Sequence, residues 1–229
     1  MSLTCIVPAA GTGIRLGSRS DKPFVKLFGK PILAHTLLTL NKSESVTSII
    51  LSVRAKNVKK AASLAKKYRL KKVRFIVKGG RKRFDSVKNA LSAAGKPDFV
   101  MVHDGARPFL SEDIIKRTFK AAKENGAAIC AIPVTDTLKK VGRDNIIAMT
   151  ENRKHFCQAQ TPQIFRRDII SKAYCSRRAS DATDDASLVE ALGYKVKIVR
   201  GSPRNIKITT PEDLELAKAL IKNKRCVRE

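Results

Sequence analysis

The chain alternates between short apolar runs and segments with the periodicity of amphipathic helices. Five apolar runs, several of them rich in β-branched residues, predict buried strands at 3–7, 46–53, 73–77, 99–102 and 127–134. Between and after these runs, helices are predicted at 31–40, 57–68, 84–94 and from Ser111 onward. Uninterrupted apolar strands that alternate with helices are typical of a mostly parallel sheet with helices on both faces, so we predict an α/β fold.

The pattern changes after residue 134. Residues 137–141 and 146–149 predict a hairpin joined by the polar turn 142–145. This hairpin does not continue the layered pattern. We therefore expect a protruding β-arm at about 137–160.

The last third of the chain returns to the alternating pattern. Helices are predicted near 166–178, up to Leu192 and from Pro211, and strands at 196–199 and 205–209. The sequence contains neither an internal repeat nor a low-complexity linker. At this length we expect a single domain that spans 1–229.

Candidate chemistry follows the first predicted strand, where sites in open parallel sheets lie. Residues 8–13 are small and include Gly11 and Gly13; Arg15 closes the segment, and Lys22 follows seven residues later. Small residues let backbone N–H groups approach an anion closely. The segment lacks the third glycine of a dinucleotide fingerprint, and no Walker lysine follows it. A triphosphate beside two cations would suit nucleotidyl transfer; a plain glycine turn with two solvated charges is the alternative.

Three further groups of residues follow other predicted strands. Gly80 with Ser86 could hold backbone and a hydroxyl against a planar base. Asp104 ends a buried strand, where a carboxylate suits Mg²⁺ near phosphates, and Arg107 could bind a phosphate through two hydrogen bonds. Lys207 interrupts an apolar stretch near hydroxyl-bearing residues, which fits a small phosphorylated polyol. Each group alone is also explained by an ordinary turn or surface residue.

The excess of basic residues indicates an anionic binding partner. The 229 residues include 47 Lys and Arg against 20 Asp and Glu, a formal net charge of +27 at pH 7. Fourteen basic residues and no acid lie between Arg54 and Arg83. Such an excess favours nucleic acid, acidic membrane or phosphorylated metabolites. Nucleic acid is the less favoured partner, because no stacking aromatics or reading module accompany the charge.

The remaining composition indicates a compact protein of the cytoplasm. Hydrophobic residues make up 43% of the chain, enough for a packed core. No apolar run approaches the roughly 18 residues of a membrane span, and the N-terminus resembles neither a signal nor a transit peptide. The five cysteines include no CxxC pair, so we expect reduced thiols rather than disulfides or a zinc site.

Taken in order, these motifs resemble the 2-C-methyl-D-erythritol 4-phosphate cytidylyltransferase family of isoprenoid biosynthesis over essentially the whole chain. They are PAAGTGIR with Lys22, GGRKRFDSV, VHDGARP, PVTDT, TPQIF, ATDDAS and NIKITTPEDL. The resemblance implies a Rossmann-like domain whose β-arm helps to form a homodimer. It also implies a reaction of CTP with methylerythritol phosphate that releases pyrophosphate and uses Mg²⁺ or another divalent cation.

The resemblance also implies roles for individual residues. Arg15 and Lys22 would stabilise charge on the α-phosphate, and Arg153 and Lys207 would hold the acceptor phosphate, with Arg153 reaching over from the partner's arm. Arg107, Thr137 and Thr161 would assist in binding the acceptor, and Asp104 would bind the metal. The nucleotide-binding residues would be Pro8, Ala9, Ala10, Gly11, Gly13, Gly80, Arg81, Ser86 and Asp104.

Some features depart from the family pattern and leave alternatives open. Pro23 and Phe24 follow Lys22 where the family often has Gln and an aromatic, and Arg81 stands where an acidic residue is common. The rival acceptor is ribitol 5-phosphate, because cytidylyltransferases for it share most of these motifs. More distant alternatives are a nucleotidyltransferase for another base, a basic nucleic-acid-binding protein and an inactive family member.

Overall fold

The computed structural model describes residues 1–13, 16, 21–176 and 182–226. Its strands are β1 (Leu3–Ala9), β2 (Lys26–Leu27), β3 (Lys30–Pro31), β4 (Ser48–Val53), β5 (Val73–Lys78), β6 (Phe99–Val102), β7 (Ala127–Pro133), β8 (Leu138–Val141), β9 (Ile147–Glu151), β10 (Cys157–Arg166) and β11 (Lys197–Arg200). Its α-helices are α1 (Ile32–Lys42), α2 (Val58–Lys67), α3 (Arg83–Ser92), α4 (Glu112–Asn125), α5 (Arg167–Cys175), α6 (Asp185–Glu190) and α7 (Pro211–Cys226).

Seven strands form one central sheet in the order β11-β7-β10-β6-β1-β4-β5. Strand β1 pairs in parallel with β4 and β6, and β11 pairs in parallel with β7. Strand β10 runs antiparallel to both of its neighbours. The sheet is therefore mostly parallel, which confirms the predicted α/β, Rossmann-like class.

The sheet is covered on both faces because successive residues of its strands point to opposite sides. Cys5 and Val7 of β1 belong to a core layer that includes side chains from α1, α2 and α4. Ile6 belongs to the opposite layer, with side chains from α3, α5 and α6. A continuous apolar strand is what this two-sided burial requires.

Strand β10 is a part of the sheet that the sequence pattern did not predict. Its sequence contains Pro162 and three glutamines, and these residues argue against a central strand. It nevertheless lies between β6 and β7, and its register against β7 shifts between Ala159 and Gln163. Pro162 lies within this irregular stretch, where it does not interrupt the regular pairing on either side.

Two predictions from the sequence are wrong: the end of the arm and the strand at 205–209. The hairpin of β8 and β9 forms a separate two-stranded sheet, as expected for an arm, but 157–160 belong to β10 in the central sheet. Residues 205–209 form an irregular segment rather than a strand. Its Ile208 N–H donates to the carbonyl of Ala106 at 2.9 Å, and this bond brings the segment to the end of β6.

Most of the other predicted elements are present with shifted ends. The helix predicted at 166–178 is α5, and Arg177 and Arg178 lie outside the described residues. Within the described part of the chain, no helix has the length and apolar character needed to cross a membrane.

Helix α4 provides a test of local stabilisation. The Ser111 side-chain oxygen accepts a hydrogen bond from the Ile114 N–H at 3.4 Å, which satisfies a donor that has no partner within the helix. Ser111→Ala should lower the free energy of unfolding by about 1 kcal/mol, while Ser111→Asp should retain it. Urea unfolding measures both; equal stability of the alanine variant and the wild type would contradict the assigned cap.

Candidate active site

A cleft of about 300 Å³ opens at the carboxyl ends of β1, β5 and β6. The described residues that line it are Pro8, Ala9, Ala10, Gly11, Lys22, Pro23, Gly80, Arg81, Lys82, Arg83, Ser86, Asp104, Gly105, Ala106 and Lys207. Segments far apart in sequence meet here because parallel strands end at the same edge of the sheet.

The cleft brings together many of the residues that the sequence singled out. They are Pro8, Ala9, Ala10, Gly11, Lys22, Gly80, Arg81, Ser86, Asp104 and Lys207. Gly13 does not line the cleft but packs against Lys22: its φ is +74°, and a Cβ atom there would lie 2.5 Å from the Lys22 Cβ. Arg15 lies outside the described residues.

One wall of the cleft is built by close approach of the backbone. A Cβ atom at Gly79 would lie 2.6 Å from the Ala10 Cβ and 2.9 Å from the Ser86 Oγ, so glycine alone lets these segments meet. The Ser86 Oγ accepts from the Gly80 N–H and donates to the Lys82 carbonyl, each at 3.2 Å. Ser86 thereby fixes the turn that presents the Gly80 backbone to the cleft.

Asp104 carries the main negative charge of the cleft. Its carboxylate contacts the Lys207 Nζ at 3.0 Å, the Arg83 Nε at 3.3 Å and the Arg107 Nε at 3.4 Å. Burial acts to raise the pKa of Asp104, but the charges of these three cations outweigh it and hold the pKa well below its ordinary value. Asp104 therefore stays ionised throughout the neutral range.

A buried hydrogen-bond chain holds the backbone at Asp104. The Asp104 N–H donates to the Thr161 Oγ at 3.1 Å, and that hydroxyl lies 3.0 Å from the His103 Nδ1. The His103 Nε2 lies 3.2 Å from the Arg107 carbonyl, which can only accept. Nε2 is therefore the protonated nitrogen, and the Thr161 hydroxyl donates to Nδ1. Burial lowers the pKa of His103 to about 4, consistent with a neutral ring.

Arg83 is a cleft residue that the sequence analysis did not select. Two of its nitrogens donate to the carboxylate of Asp185 at 3.0 and 2.6 Å, and the Tyr174 hydroxyl donates to the same carboxylate at 2.5 Å. Asp185 is fully buried. Arg83 is thereby held beside Asp104. Only the GGRKRFDSV and ATDDAS motifs, read as a pair, could have indicated this contact.

Four of the residues predicted to bind the acceptor lie farther from the cleft than most of those predicted to bind the nucleotide. Thr161 is buried in the chain of hydrogen bonds behind Asp104, and Arg107 donates to the Asn205 carbonyl at 2.7 Å. Thr137 and Arg153 are exposed near the base of the arm, where Arg153 donates to the Thr135 carbonyl at 2.5 Å. None of these four side chains lines the cleft of the described chain.

The described residues could hold a metal ion only if a bound substrate supplied further ligands. No group of three His, Cys, Asp or Glu side chains among them could hold a metal by itself. Asp104 is the one carboxylate among the described lining residues. Mg²⁺ commonly takes one or two protein carboxylates and completes its shell with phosphate oxygens and water. Asp104 therefore fits a cation that is shared with a phosphate group.

The neutral state of His103 predicts a dependence of stability on pH. Its pKa is about 4 in the folded protein against an ordinary value of 6.5. Between these values the unfolded chain binds the proton and the folded chain does not, so the free energy of unfolding falls as the pH falls from 6.5 to 4. The contribution lost at pH 4 is about 3 kcal/mol.

Urea unfolding across this pH range checks the prediction. His103→Gln should show a flatter dependence than the wild type, and the exposed His155→Gln should be as steep as the wild type. His35, whose pKa is also lowered, chiefly by burial, is present in all three proteins and cancels in the comparison. Parallel curves for His103→Gln and the wild type would show that another group titrates.

Comparisons with known proteins agree with this geometry. The family model described as 2-C-methyl-D-erythritol 4-phosphate cytidylyltransferase matches residues 3–223. Proteins of that name from Syntrophus aciditrophicus and Dehalococcoides mccartyi are each 46% identical to this chain, with 96% of both chains covered in each case.

Solved structures of the same kind share the fold. The 4-diphosphocytidyl-2C-methyl-D-erythritol synthase of Anaerococcus prevotii superimposes with a TM-score of 0.85 at 33% identity and 96% coverage of both chains. The 2-C-methyl-D-erythritol 4-phosphate cytidylyltransferase of Thermus thermophilus gives a TM-score of 0.77 at 32% identity, covering 97% of this chain and 100% of that one. The chain belongs to the 2-C-methyl-D-erythritol 4-phosphate cytidylyltransferase family and is a cytidylyltransferase.

Proposed function

We propose that this protein transfers the cytidylyl group of CTP to 2-C-methyl-D-erythritol 4-phosphate and releases pyrophosphate, within isoprenoid precursor biosynthesis. The observation that carries the proposal is the cationic cleft, in which Lys22, Arg83 and Lys207 line the same space as the ionised Asp104. Two anionic substrates must meet in such a reaction, and fixed cations reduce their repulsion.

The acceptor phosphate needs no activating base, because a phosphate monoester is already an anionic nucleophile at neutral pH. One of its oxygens attacks the α-phosphorus of CTP, and the bond from that phosphorus to the bridging oxygen of pyrophosphate breaks. Negative charge grows on the α-phosphate and on the leaving group. Lys22, together with Arg15 from the same segment, is suited to stabilise that charge.

The nucleobase is assigned to the wall formed by Ala10, Gly80 and Ser86. At Gly79 the backbone approaches Ala10 and Ser86 closely, and such close packing of small groups suits a planar base. Arg81 lines this side of the cleft in place of the acidic residue common in the family, so recognition of cytosine must rely on backbone groups and Ser86.

Mg²⁺ is the proposed cofactor, with Asp104 as its protein ligand. The metal would draw charge from the phosphates and orient them for in-line attack. Arg83 and Lys207 already lie beside the carboxylate, so the chain's own part is to keep Asp104 ionised and in place.

The acceptor half of the site is proposed to involve a second copy of the chain. Thr137 and Arg153 lie at the arm, and the arm exposes a row of apolar side chains that a dimer would cover. These are Val141, Ile146, Ile147, Met149 and Phe156. The partner's Arg153 would then bind the acceptor phosphate, and the homodimer would work in the cytoplasm, where CTP is available.

The test of the proposed reaction is pyrophosphate release by the purified protein with CTP and Mg²⁺. Parallel reactions contain methylerythritol 4-phosphate or ribitol 5-phosphate as acceptor. Release with the first acceptor alone is expected. Pyrophosphate release with ribitol 5-phosphate alone would support cytidylyl transfer but refute the proposed acceptor. No release with either acceptor would refute the proposed function.

The role of Lys22 is tested by substitution. Lys22→Ala should lower kcat by about 100-fold, because charge stabilisation in the transition state is lost, and Arg15→Ala should have a comparable effect. Lys66→Ala, an exposed lysine of α2, is the control and should keep wild-type turnover. Unchanged kcat in Lys22→Ala would contradict the assigned role.

The arm is tested through the oligomeric state. Placing carboxylates on its apolar surface, as Ile146→Asp with Ile147→Asp, should yield a monomer in sedimentation and impair use of the acceptor. Leu216→Asp, which places one carboxylate on an exposed apolar residue of α7, is the control and should leave the dimer intact. A wild-type protein that sediments as a monomer would refute the proposed dimer.

A further inference from the structure

We propose that Asp21 is a positioning residue that holds Lys22 in the cleft by tying the Lys22 turn to the connection between β4 and α2. The inference rests on the proposed function, in which Lys22 stabilises the reacting phosphate. Asp21 is not a cleft-lining residue, so its effect must pass through its neighbour.

The carboxylate of Asp21 is nearly buried and binds three side chains of one connection. It receives the Arg54 Nη1 at 2.8 Å, the Lys56 Nζ at 3.0 Å and the Asn57 Nδ2 at 2.9 Å. Its side chain is 11% exposed. Three contacts on two carboxylate oxygens leave Asp21 little freedom relative to the end of β4.

The main chain of Asp21 starts the turn that carries Lys22. Its carbonyl accepts from the Phe24 N–H at 2.9 Å, and residues Lys22–Phe24 form one turn of 3-10 helix. An aspartate before a helix usually caps it with its own side chain. Here no such bond forms, and the carboxylate turns toward the β4–α2 connection instead.

Other contacts hold the remaining sides of the turn. Gly13 packs directly against the Lys22 Cβ, so the side chain leaves the turn in a restricted direction. Phe24 is buried, and the Lys60 ammonium lies 4.4 Å from the centre of its ring. The Asp21 contacts supply the tie to the neighbouring strand end that these interactions lack.

The negative charge of Asp21 also counters the positive charge of the basic residues around it. The segment from Arg54 to Arg83 holds fourteen cations and no acid. Asp21, the residue before Lys22 in the chain, places a carboxylate on the cations Arg54 and Lys56. Burial acts to raise the pKa of Asp21, but hydrogen bonds from Asn57, Lys56 and Arg54 lower it to about 2, so the charge persists at every working pH. Without it, Arg54 and Lys56 would lose the anion that draws them to the Lys22 turn.

A double-mutant cycle between Asp21 and Lys22 tests the proposal. Asp21→Ala should lower kcat about 10-fold or more with a smaller change in the KM for CTP, since a small misplacement of a catalytic group is costly. In the Lys22→Ala background the same substitution should change kcat less than about 2-fold. Asp113→Ala, which removes an exposed ion-paired carboxylate of α4, is the control and should keep wild-type kcat.

The outcomes separate positioning from a general effect on the fold. An equal loss of kcat in both backgrounds would mean that Asp21 does not act through Lys22, and unchanged kcat in Asp21→Ala would overturn the proposal directly. If wild-type protein is inactive with both acceptors, the proposed function fails, and the cycle is read from CTP affinity by titration calorimetry. Coupling of the two substitutions in CTP affinity would then support positioning, and additive losses would overturn it.

Discussion

The site depends on one interaction, the burial of Asp104 among cations from three separate segments. Arg83 begins α3, Arg107 follows β6, and Lys207 lies in the irregular segment before α7. A buried carboxylate is costly unless it is paired and hydrogen-bonded. The three cations meet that cost here, and in doing so they are themselves gathered at the end of the central strands.

The cations are held by contacts away from the cleft. Asp185, which accepts a hydrogen bond from the Tyr174 hydroxyl, binds Arg83 from one side, and the Asn205 carbonyl accepts from Arg107. The result is a set of charges that is arranged before any substrate arrives, which is the condition under which electrostatic catalysis is most effective. The family's chemistry needs this more than a proton-transfer device, because its nucleophile is already charged.

The sequence predicted the loops of the site better than their contacts. The glycine-containing segment after β1, the Gly79 turn and Asp104 could be placed together because sites in parallel sheets collect at the strand ends. Arg83 was not assigned, because its partner Asp185 lies 102 residues away in a separate motif and no local pattern links the two residues. Strand β10 was missed because a proline and glutamines conceal a strand whose burial comes from its neighbours.

By itself, the sequence determined the α/β class, the order of most helices and strands, and the motifs of the family. These follow from local rules: strand and helix periodicities, helix signals and the chemistry of loops. Only the tertiary structure decided that β10 enters the sheet, that 205–209 is irregular, and that Asp104 meets Arg83 and Lys207. Such contacts depend on how distant segments pack, and their free energy is not encoded in any short stretch of residues.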